Sequence, residues 1–473
     1  MIVSRTTWLI AAFVCVCVLY LHGLASVGVL GPDEPRYASI GRQMAQSGDW
    51  VTPRLWGEPW FEKPVLLYWL VGAAYRLGFG DDWAPRIGVA VISLGFLAFY
   101  YMQLRREFGD LAALYASVIL ATSAGWFAFS QVGVTDLPMA AAFGASVLLA
   151  LRWVRSGGRR GLLLAGVLLG VAVLAKGLVP IVLASPLIVV GRRRWRDLFV
   201  YAGGCLATAL PWYWLCYRRN GWPFIQEFFI NHHFGRFASD SLQHVQPFWF
   251  YVPVLIAGLY PWIPMLAFAY RRSDVHEPRR LLLLCIAAWG LVFFSAATNK
   301  LPGYVLPLMP AIVALIGIHA AEARSCAWAL GVTMVLLAAT SWIASILPGA
   351  LAEGISRAGP SAPRWFSVVP AAAAAAGSWY LEKIRRRSMA VGVALASTMV
   401  AVFALQQAVY PLLDRDVSVR SLWFRARALG PEPCVLGMRR TEVYGLNFYA
   451  DNTLPTCSEG GAKHGIGPGR AIW

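Results

Sequence analysis

The stretch GPDEPRYASIGRQMAQSGDW, residues 31–50, lies between apolar runs near 8–30 and 84–104 and concentrates carboxylates, arginines and aromatic rings. Each flanking run is close to the ~20 residues that cross about 30 Å of hydrocarbon. Working outward, similar runs recur near 111–129, 133–151, 161–175, 177–191, 198–216, 248–270, 281–297, 303–320, 326–347, 366–382 and 389–410, which makes thirteen. The interval 161–191 also reads as one long span broken at Lys176-Gly177. Of the 473 residues 58% are hydrophobic and 14% charged, against about 25% charged in a soluble domain. The chain therefore reads as an all-α integral membrane protein. Its first apolar run follows Arg5, is long for a signal peptide and lacks a small-x-small cleavage pattern, so it reads as an uncleaved anchor.

A net charge of +17 invites a nucleic-acid partner, but the distribution of the charge rejects it. With the amino terminus inside, twenty lysines and arginines fall in short inside segments, among them Arg105, Arg106, Arg155, Arg159, Arg192, Arg193, Arg194, Arg271, Arg279, Arg280 and Arg387. That is the positive-inside pattern, with anionic membrane lipids as the expected contacts. Thirteen spans place residues 412–473 outside. In that tail PCVLGM reads as a strand, TEVYGLNFYA as a helix and GGAKHGIGPGRA as lacking regular structure. About 60 residues are marginal as an independent domain, so the tail is expected to pack on the outer face of the bundle. It holds Cys434 and Cys457. An oxidising compartment permits a disulfide there, while sequence leaves the Cα separation open. Most of the other cysteines lie inside spans and read as packing residues.

Three outside regions are too polar and aromatic to be plain connectors. In the first, 31–83, Tyr37–Ser47 reads as an amphipathic helix with Ile40 and Met44 four apart, and Pro64 suits the start of a second helix over about 65–78. Both are expected to lie along the membrane surface, where Trp50, Trp56, Trp60, Tyr68 and Trp69 suit the interface. The second, 217–247, combines aromatics with His232, His233, Arg236, Asp240 and His244. The third is a set of turns that put Asp136, Lys176 and Lys300 at membrane edges. Charges at that depth are costly and face a cavity or a partner.

Asp33 and Glu34 point about 100° apart on a helix start, so only one can face a given site. A plain reading makes both helix-start residues paired with Arg36. Glu62 and Lys63 in the same loop weigh against that reading. Lys63 precedes a proline and is biased toward extended backbone, which would send Glu62 and Lys63 to opposite sides. Carboxylates, a lysine and arginines roofing an apolar bundle suit an amphiphile with an anionic head. Its tail would lie between spans while Lys63 and Arg236 hold a phosphate. If that phosphate leaves, the cations stabilise the developing charge, and a carboxylate across the bond orients or deprotonates the nucleophile. His232 and His233 could ligate a metal with Glu62 or hydrogen-bond the phosphate.

The run 31–50 followed by WFEKP (60–64) resembles the first outside loop of the lipid A aminoarabinose transferases. These are polytopic glycosyltransferases that use polyprenyl-phosphate sugars, more distantly related to the protein mannosyltransferases. The resemblance continues at RRWRDLFVYAG (193–203), FFINHHFGRFASDSLQHVQPFWFYVPVLIAGLYPW (228–262) and FFSAATNKLPGYVLPL (293–308), in order over roughly residues 1–410. It implies a GT-C type bundle of about thirteen transmembrane helices over 1–411 and a short periplasmic α/β region over 412–473. The implied activity is inverting sugar transfer in a bacterial inner membrane, with the site facing the periplasm and the enzyme acting as a monomer. The donor would be a polyprenyl-phosphate sugar and the acceptor lipid A or another envelope glycolipid. By the same resemblance Asp33 is the catalytic carboxylate. Lys63 and Arg236, with Arg36, bind the donor phosphate. Glu34, Tyr37, Asp136, Lys176, Lys300 and Tyr304 line the cavity, and Glu62 with His233 and His232 holds a divalent metal or the head group. Two departures stand out: His232 where the family often has a carboxylate, and a much shorter carboxyl-terminal domain.

Protein or polysaccharide O-glycosylation within the same superfamily is the nearer alternative. A lipid-linked sugar transporter or flippase is the alternative from another class. It would call for charges central in several spans and for inverted repeats, and neither is visible in this sequence. The topology is testable: a reporter active only outside the cytoplasm, fused after Leu413, is expected to be active. Activity of a cytoplasm-only reporter at that point would reverse the orientation.

Overall fold

The computed structural model describes residues 5–235, 245–353, 367–430, 433–457, 465–467 and 472. Helix falls in each of the thirteen apolar segments. Among the described residues seven helices are long and apolar enough to cross a membrane: Ala84–Phe108, Asp136–Ser156, Arg192–Asn220, Pro278–Ala296, Pro302–Glu322, Ala327–Ala352 and Arg387–Asp416. An eighth is counted if Asp110–Thr122 and Ala124–Ser130, bent by 59°, form one span. The bend sits at Ser123, whose backbone is extended, and the Ala124 N–H is taken up by the Tyr260 carbonyl at 2.9 Å. Other expected spans are short or interrupted. The segment 177–191 forms Val179–Leu183 and Pro186–Val190 after a break at Gly177, the alternative already legible in the sequence. The segment 248–270 forms Tyr251–Gly258 and, beyond Pro261, a 3-10 turn over Ile263–Phe268. Pro261 and Pro264 withhold the backbone donors that a continuous helix requires.

The helices sort into inner and outer members. The apolar windows of Asp136–Ser156 and Pro302–Glu322 are 83% buried, whereas that of Arg387–Asp416 is 22% buried. Outer helices expose large side chains such as Leu206, Leu210, Val400 and Phe403. Contiguous apolar surface of this kind is stable against hydrocarbon and costly against water. The chain is a multi-pass membrane protein.

At the arginine-rich end many of the topology-setting cations are paired within the chain. Glu107 meets Arg155 at 3.3 Å and Arg279 at 3.1 Å, Asp197 meets Arg159 at 2.7 Å, and Glu382 meets Arg387 at 2.8 Å. These arginines hold neighbouring helices together, in addition to any contact with lipid phosphate.

The other end carries the first outside loop and the tail. Its first helix begins earlier than the sequence suggested, at Asp33, and runs to Ser47, where Gly48 in the left-handed region closes it. It is not a surface helix. Tyr37, Ile40, Arg42, Met44 and Ala45 are all buried, because Leu66–Arg76 packs on one side and the tail helix Arg440–Ala450 on another. Sequence periodicity missed this because the second cover comes from four hundred residues away.

One ion pair fixes where this helix starts. Glu34 and Arg86 are 1% and 3% exposed. Arg86 donates Nε to Glu34 Oε1 and a terminal nitrogen to Oε2, both at 2.7 Å. Its remaining donors reach the carbonyls of Leu24, Val27 and Gly28. Glu34 also accepts from the backbone N–H of Leu30 and of Gly133, each at 2.7 Å. Gly133 has no room for a side chain, since a Cβ there would collide with the Pro85 carbonyl.

The tail is a small α/β unit. Cys434–Val435 pairs in parallel with Gly465–Ile466, so part of the expected unstructured end is a strand. A local core of Val419, Leu422, Trp423, Ala426, Val435, Leu446 and Ile466 holds it. Cys434 and Cys457 are bridged, with Cα atoms 5.0 Å apart. The unit is bolted to the first loop: Arg42 pairs with Asp451 at 2.8 Å, the Tyr449 hydroxyl accepts from Val29 N–H at 3.1 Å, and Arg420 pairs with Asp82 at 2.9 Å.

Two outcomes are expected. Arg86→Leu leaves the Glu34 carboxylate buried without its cation and should cost about 3–5 kcal/mol. The loss should appear in thermal unfolding of detergent-solubilised protein, with partial recovery in the double variant that adds Glu34→Leu. A single variant as stable as the native chain would contradict the keystone role. Peptide mapping without reductant should recover Cys434 and Cys457 as one linked pair, and two alkylated thiols would contradict the bridge.

Candidate functional site

The site starts from the geometry of one helical turn. Asp33 and Glu34 diverge as expected: Glu34 turns inward to Arg86, and Asp33 turns outward with its side chain 45% exposed. Glu34 is thus a structural carboxylate and not a cavity residue. Three positions on, Arg36 comes back over Asp33. It ion-pairs with Asp33 Oδ1, reaches Glu62 Oε2 at 2.7 Å and donates Nε to the Pro32 carbonyl at 2.9 Å. Arg36 therefore bridges the two carboxylates, which differs from the phosphate-ligand role expected of it. Burial works against the charge of this guanidinium, but Glu62 and Asp33 outweigh it and raise its pKa.

Lys63 lies 3.5 Å from Glu62 Oε1. The two side chains converge, contrary to the opposite-sides expectation, because the backbone bends at Glu62 and Lys63 instead of running extended. Beneath this cluster Tyr37 and Tyr68 pack with ring centroids 5.8 Å apart. Burial, and then Glu62, pushes both phenols well above their ordinary pKa, so both stay protonated. The Tyr68 hydroxyl is buried with no hydrogen-bond partner among the described residues. Phe61, beside Glu62, stacks edge-on to Phe224 at 5.2 Å, tying this loop to the second outside region.

A second group sits at the ends of two inner helices. Asp136 opens one helix and Lys176 closes another, and the two are ion-paired. The ammonium of Lys176 lies 4.9 Å from the Tyr304 ring centroid. Gly303 makes room for this pair, since a Cβ there would run into the Asp136 carboxylate. Glu34 links the two groups through Gly133, three residues before Asp136. Lys300 is not part of either. It is 5% exposed and donates to the carbonyls of Ala297 and Gln246, so it anchors the chain near Gln246.

Arg236 lies outside the described residues, as do the side chains of His232 and His233 on the π-helix Gln226–Gly235. Among the described residues no three of His, Cys, Asp and Glu gather to hold a metal. Glu62, the described member of the expected metal set, already faces Arg36 and Lys63. The described residues do not compose a metal site.

A cavity of about 990 Å³ opens beside the helix start, lined by Gly31, Pro32 and Arg86 at its polar end and by Leu24, Val27, Leu347, Val402, Leu405 and Tyr410 along its length. Asp33, Glu62 and Lys63 do not line it; the cavity touches the start of the helix Asp33–Ser47 through Pro32. Its length and apolar wall suit hydrocarbon chains.

Sequence reasoning missed several of these residues. Arg86 was absorbed into an apolar span, although a cation inside APRIGVAVISL is itself a signal of a buried partner. Tyr68, Trp56 and Trp60 were read as interfacial aromatics, and Tyr444 of the tail helix carried no signal at all.

Residues 6–221 match the family of dolichyl-phosphate-mannose-protein mannosyltransferases. An undecaprenyl phosphate-α-4-amino-4-deoxy-L-arabinose arabinosyl transferase of Pseudomonas aeruginosa (strain UCBPP-PA14) is 34% identical over 342 residues, 68% of this chain and 60% of the relative. The protein of the same description from Serratia proteamaculans (strain 568) is 34% identical over 345 residues, 69% of this chain and 61% of the relative. The chain thus spans about 60% of the length of these relatives. The crystal structure of ArnT from Cupriavidus metallidurans bound to undecaprenyl phosphate superposes with a TM-score of 0.76 at 27% identity, covering 97% of this chain and 87% of that one. The charged first loop on a broken helical bundle, together with these similarities, relates the chain to the lipid A aminoarabinose transferases and to the wider group of polytopic GT-C proteins.

Proposed function

We propose that the protein transfers an aminoarabinose-like sugar from an undecaprenyl-phosphate donor to a phosphate of lipid A or a related envelope glycolipid, at the periplasmic face of a bacterial inner membrane. The observation that carries this reading is the charge cluster of Asp33, Arg36, Glu62 and Lys63, whose Asp33 directly follows Pro32 in the wall of a lipid-sized cavity. The proposal includes thirteen crossings, with the shorter helices completing the seven or eight long ones, and a monomeric enzyme.

In this reaction an acceptor oxygen bonds to C1 of the sugar while the bond from C1 to the carrier phosphate oxygen breaks, with inversion. The electron pair leaves on the phosphate. Lys63, joined by Arg236 of the second loop, meets that charge, and a fixed cation at such a position contributes on the order of 2–4 kcal/mol. An acceptor phosphate is already anionic near neutral pH and needs no base, so Asp33 orients the acceptor. An acceptor hydroxyl would instead need Asp33 to take its proton, worth about 10²–10⁴-fold. Asp136, Lys176 and Tyr304 offer a carboxylate, an ammonium and a ring to the sugar between the two lipids. The Tyr68 hydroxyl adds a neutral donor beneath the carboxylates.

Lys63→Ala is expected to lower transfer at least a hundredfold in protein that still inserts and folds, and Asp33→Asn to be inactive or nearly so. The assay is transfer from synthetic undecaprenyl-phosphate aminoarabinose to purified lipid A, followed by mass spectrometry. Near-native rates in Lys63→Ala would remove the phosphate assignment, and a native rate in Asp33→Asn would reduce that carboxylate to a helix-start residue. Addition of a phosphate-linked pentose to lipid A only when the gene is present would support the substrate pair in cells.

A further inference from the structure

The aromatic residues above Arg36 are arranged as no packing requirement explains. The Tyr444 ring, on the tail helix, lies under two guanidinium groups: Arg36 at 5.3 Å and Arg440 at 5.2 Å from the ring centroid. Arg440 also donates Nε to the Tyr444 hydroxyl at 2.7 Å. Like charges on a common ring repel unless anions accompany them. Arg36 has its two carboxylates, whereas Arg440 has no ion-pair partner among the described residues.

Trp56 lies beside the same ring, with centroids 5.8 Å apart, and Trp60 lies 5.6 Å from Arg36. The indole N–H groups of both tryptophans are buried and have no acceptor among the described residues. Such donors cost free energy until something accepts from them. Trp56 also sits at the tip of the hairpin Arg54–Leu55/Glu58–Pro59 with a φ of +50°, a conformation that a bulky residue adopts at a cost. Among the described residues this corner of the fold thus holds two unsatisfied N–H donors, a cation without an anion and aromatic surface that Arg36 connects to Asp33.

We propose that Tyr444 and Arg440, with Trp56 and Trp60, form the subsite for the phosphorylated sugar head group of the acceptor. This rests on the transferase reading above. Phosphate oxygens pair with Arg440, sugar hydroxyls accept from the indoles, and the ring faces cover the apolar face of the pyranose. The short tail is then part of the active site. The bolts through Arg42, Tyr449 and Arg420 keep its recognition helix in register with Asp33.

The test uses the full chain in detergent, the polyprenyl-phosphate donor, and two acceptors: a phosphorylated acylated glucosamine disaccharide and its dephosphorylated form. Arg440→Ala and Tyr444→Ala should raise the acceptor KM about tenfold or more for the phosphorylated form, with binding of undecaprenyl phosphate at native strength. Arg440→Lys should recover part of the loss. Arg427→Ala, an exposed arginine elsewhere on the tail, should leave the acceptor KM alone. Because Arg440 is exposed, its removal does not threaten the fold. A native acceptor KM in both Arg440→Ala and Tyr444→Ala would overturn the subsite while the transferase reading stands. A native protein that transfers to neither acceptor would overturn the reading itself.

Discussion

The buried pair of Glu34 and Arg86 is the constraint on which the site depends. Neither charge could stay in so dry a position alone, and together they use four hydrogen bonds at the carboxylate and three carbonyl contacts at the guanidinium. The pair therefore ties the stretch Leu24–Gly28, the start of the helix Asp33–Ser47, the first turn of Ala84–Phe108 and the turn at Gly133 to one point. Asp33, one residue away, inherits its direction from that anchor.

The remaining charges follow the same logic of internal pairing. Arg36 sets Asp33 and Glu62 at a fixed separation, and Lys176 does the same for Asp136. Side chains held this way need little rearrangement when a substrate arrives, and preorganised charge of this kind is the main resource of a group-transfer site. The arginine-rich end shows that pairing also serves the bundle itself. Glu107, Asp197 and Glu382 each recruit cations that orientation in the membrane had already placed nearby.

The tail gains its meaning from what it touches. As a unit of four short elements closed by one disulfide it has little core of its own, and its stability comes largely from docking against the first loop. That docking covers the helix Asp33–Ser47 and brings Tyr444 over Arg36. Through Tyr444 the tail thus reaches the charge cluster of the first loop.

The thirteen apolar segments, the charge bias of the short loops, the helix over 37–47 and the concentration of charge at Asp33, Glu62 and Lys63 in one loop were legible in the sequence alone. Each rests on a local cause: segment length against hydrocarbon thickness, charge beside membrane ends, or spacing along one helix. Local rules could not reveal that Glu34 and Lys300 are held by internal partners, that the helix Asp33–Ser47 is buried, that Arg86 pairs with Glu34 or that Tyr444 meets Arg36. Those outcomes depend on partners 52, 54 and 406 residues away, and a carboxylate or a lysine declares its role only once a distant chain segment has either met it or left it open to substrate.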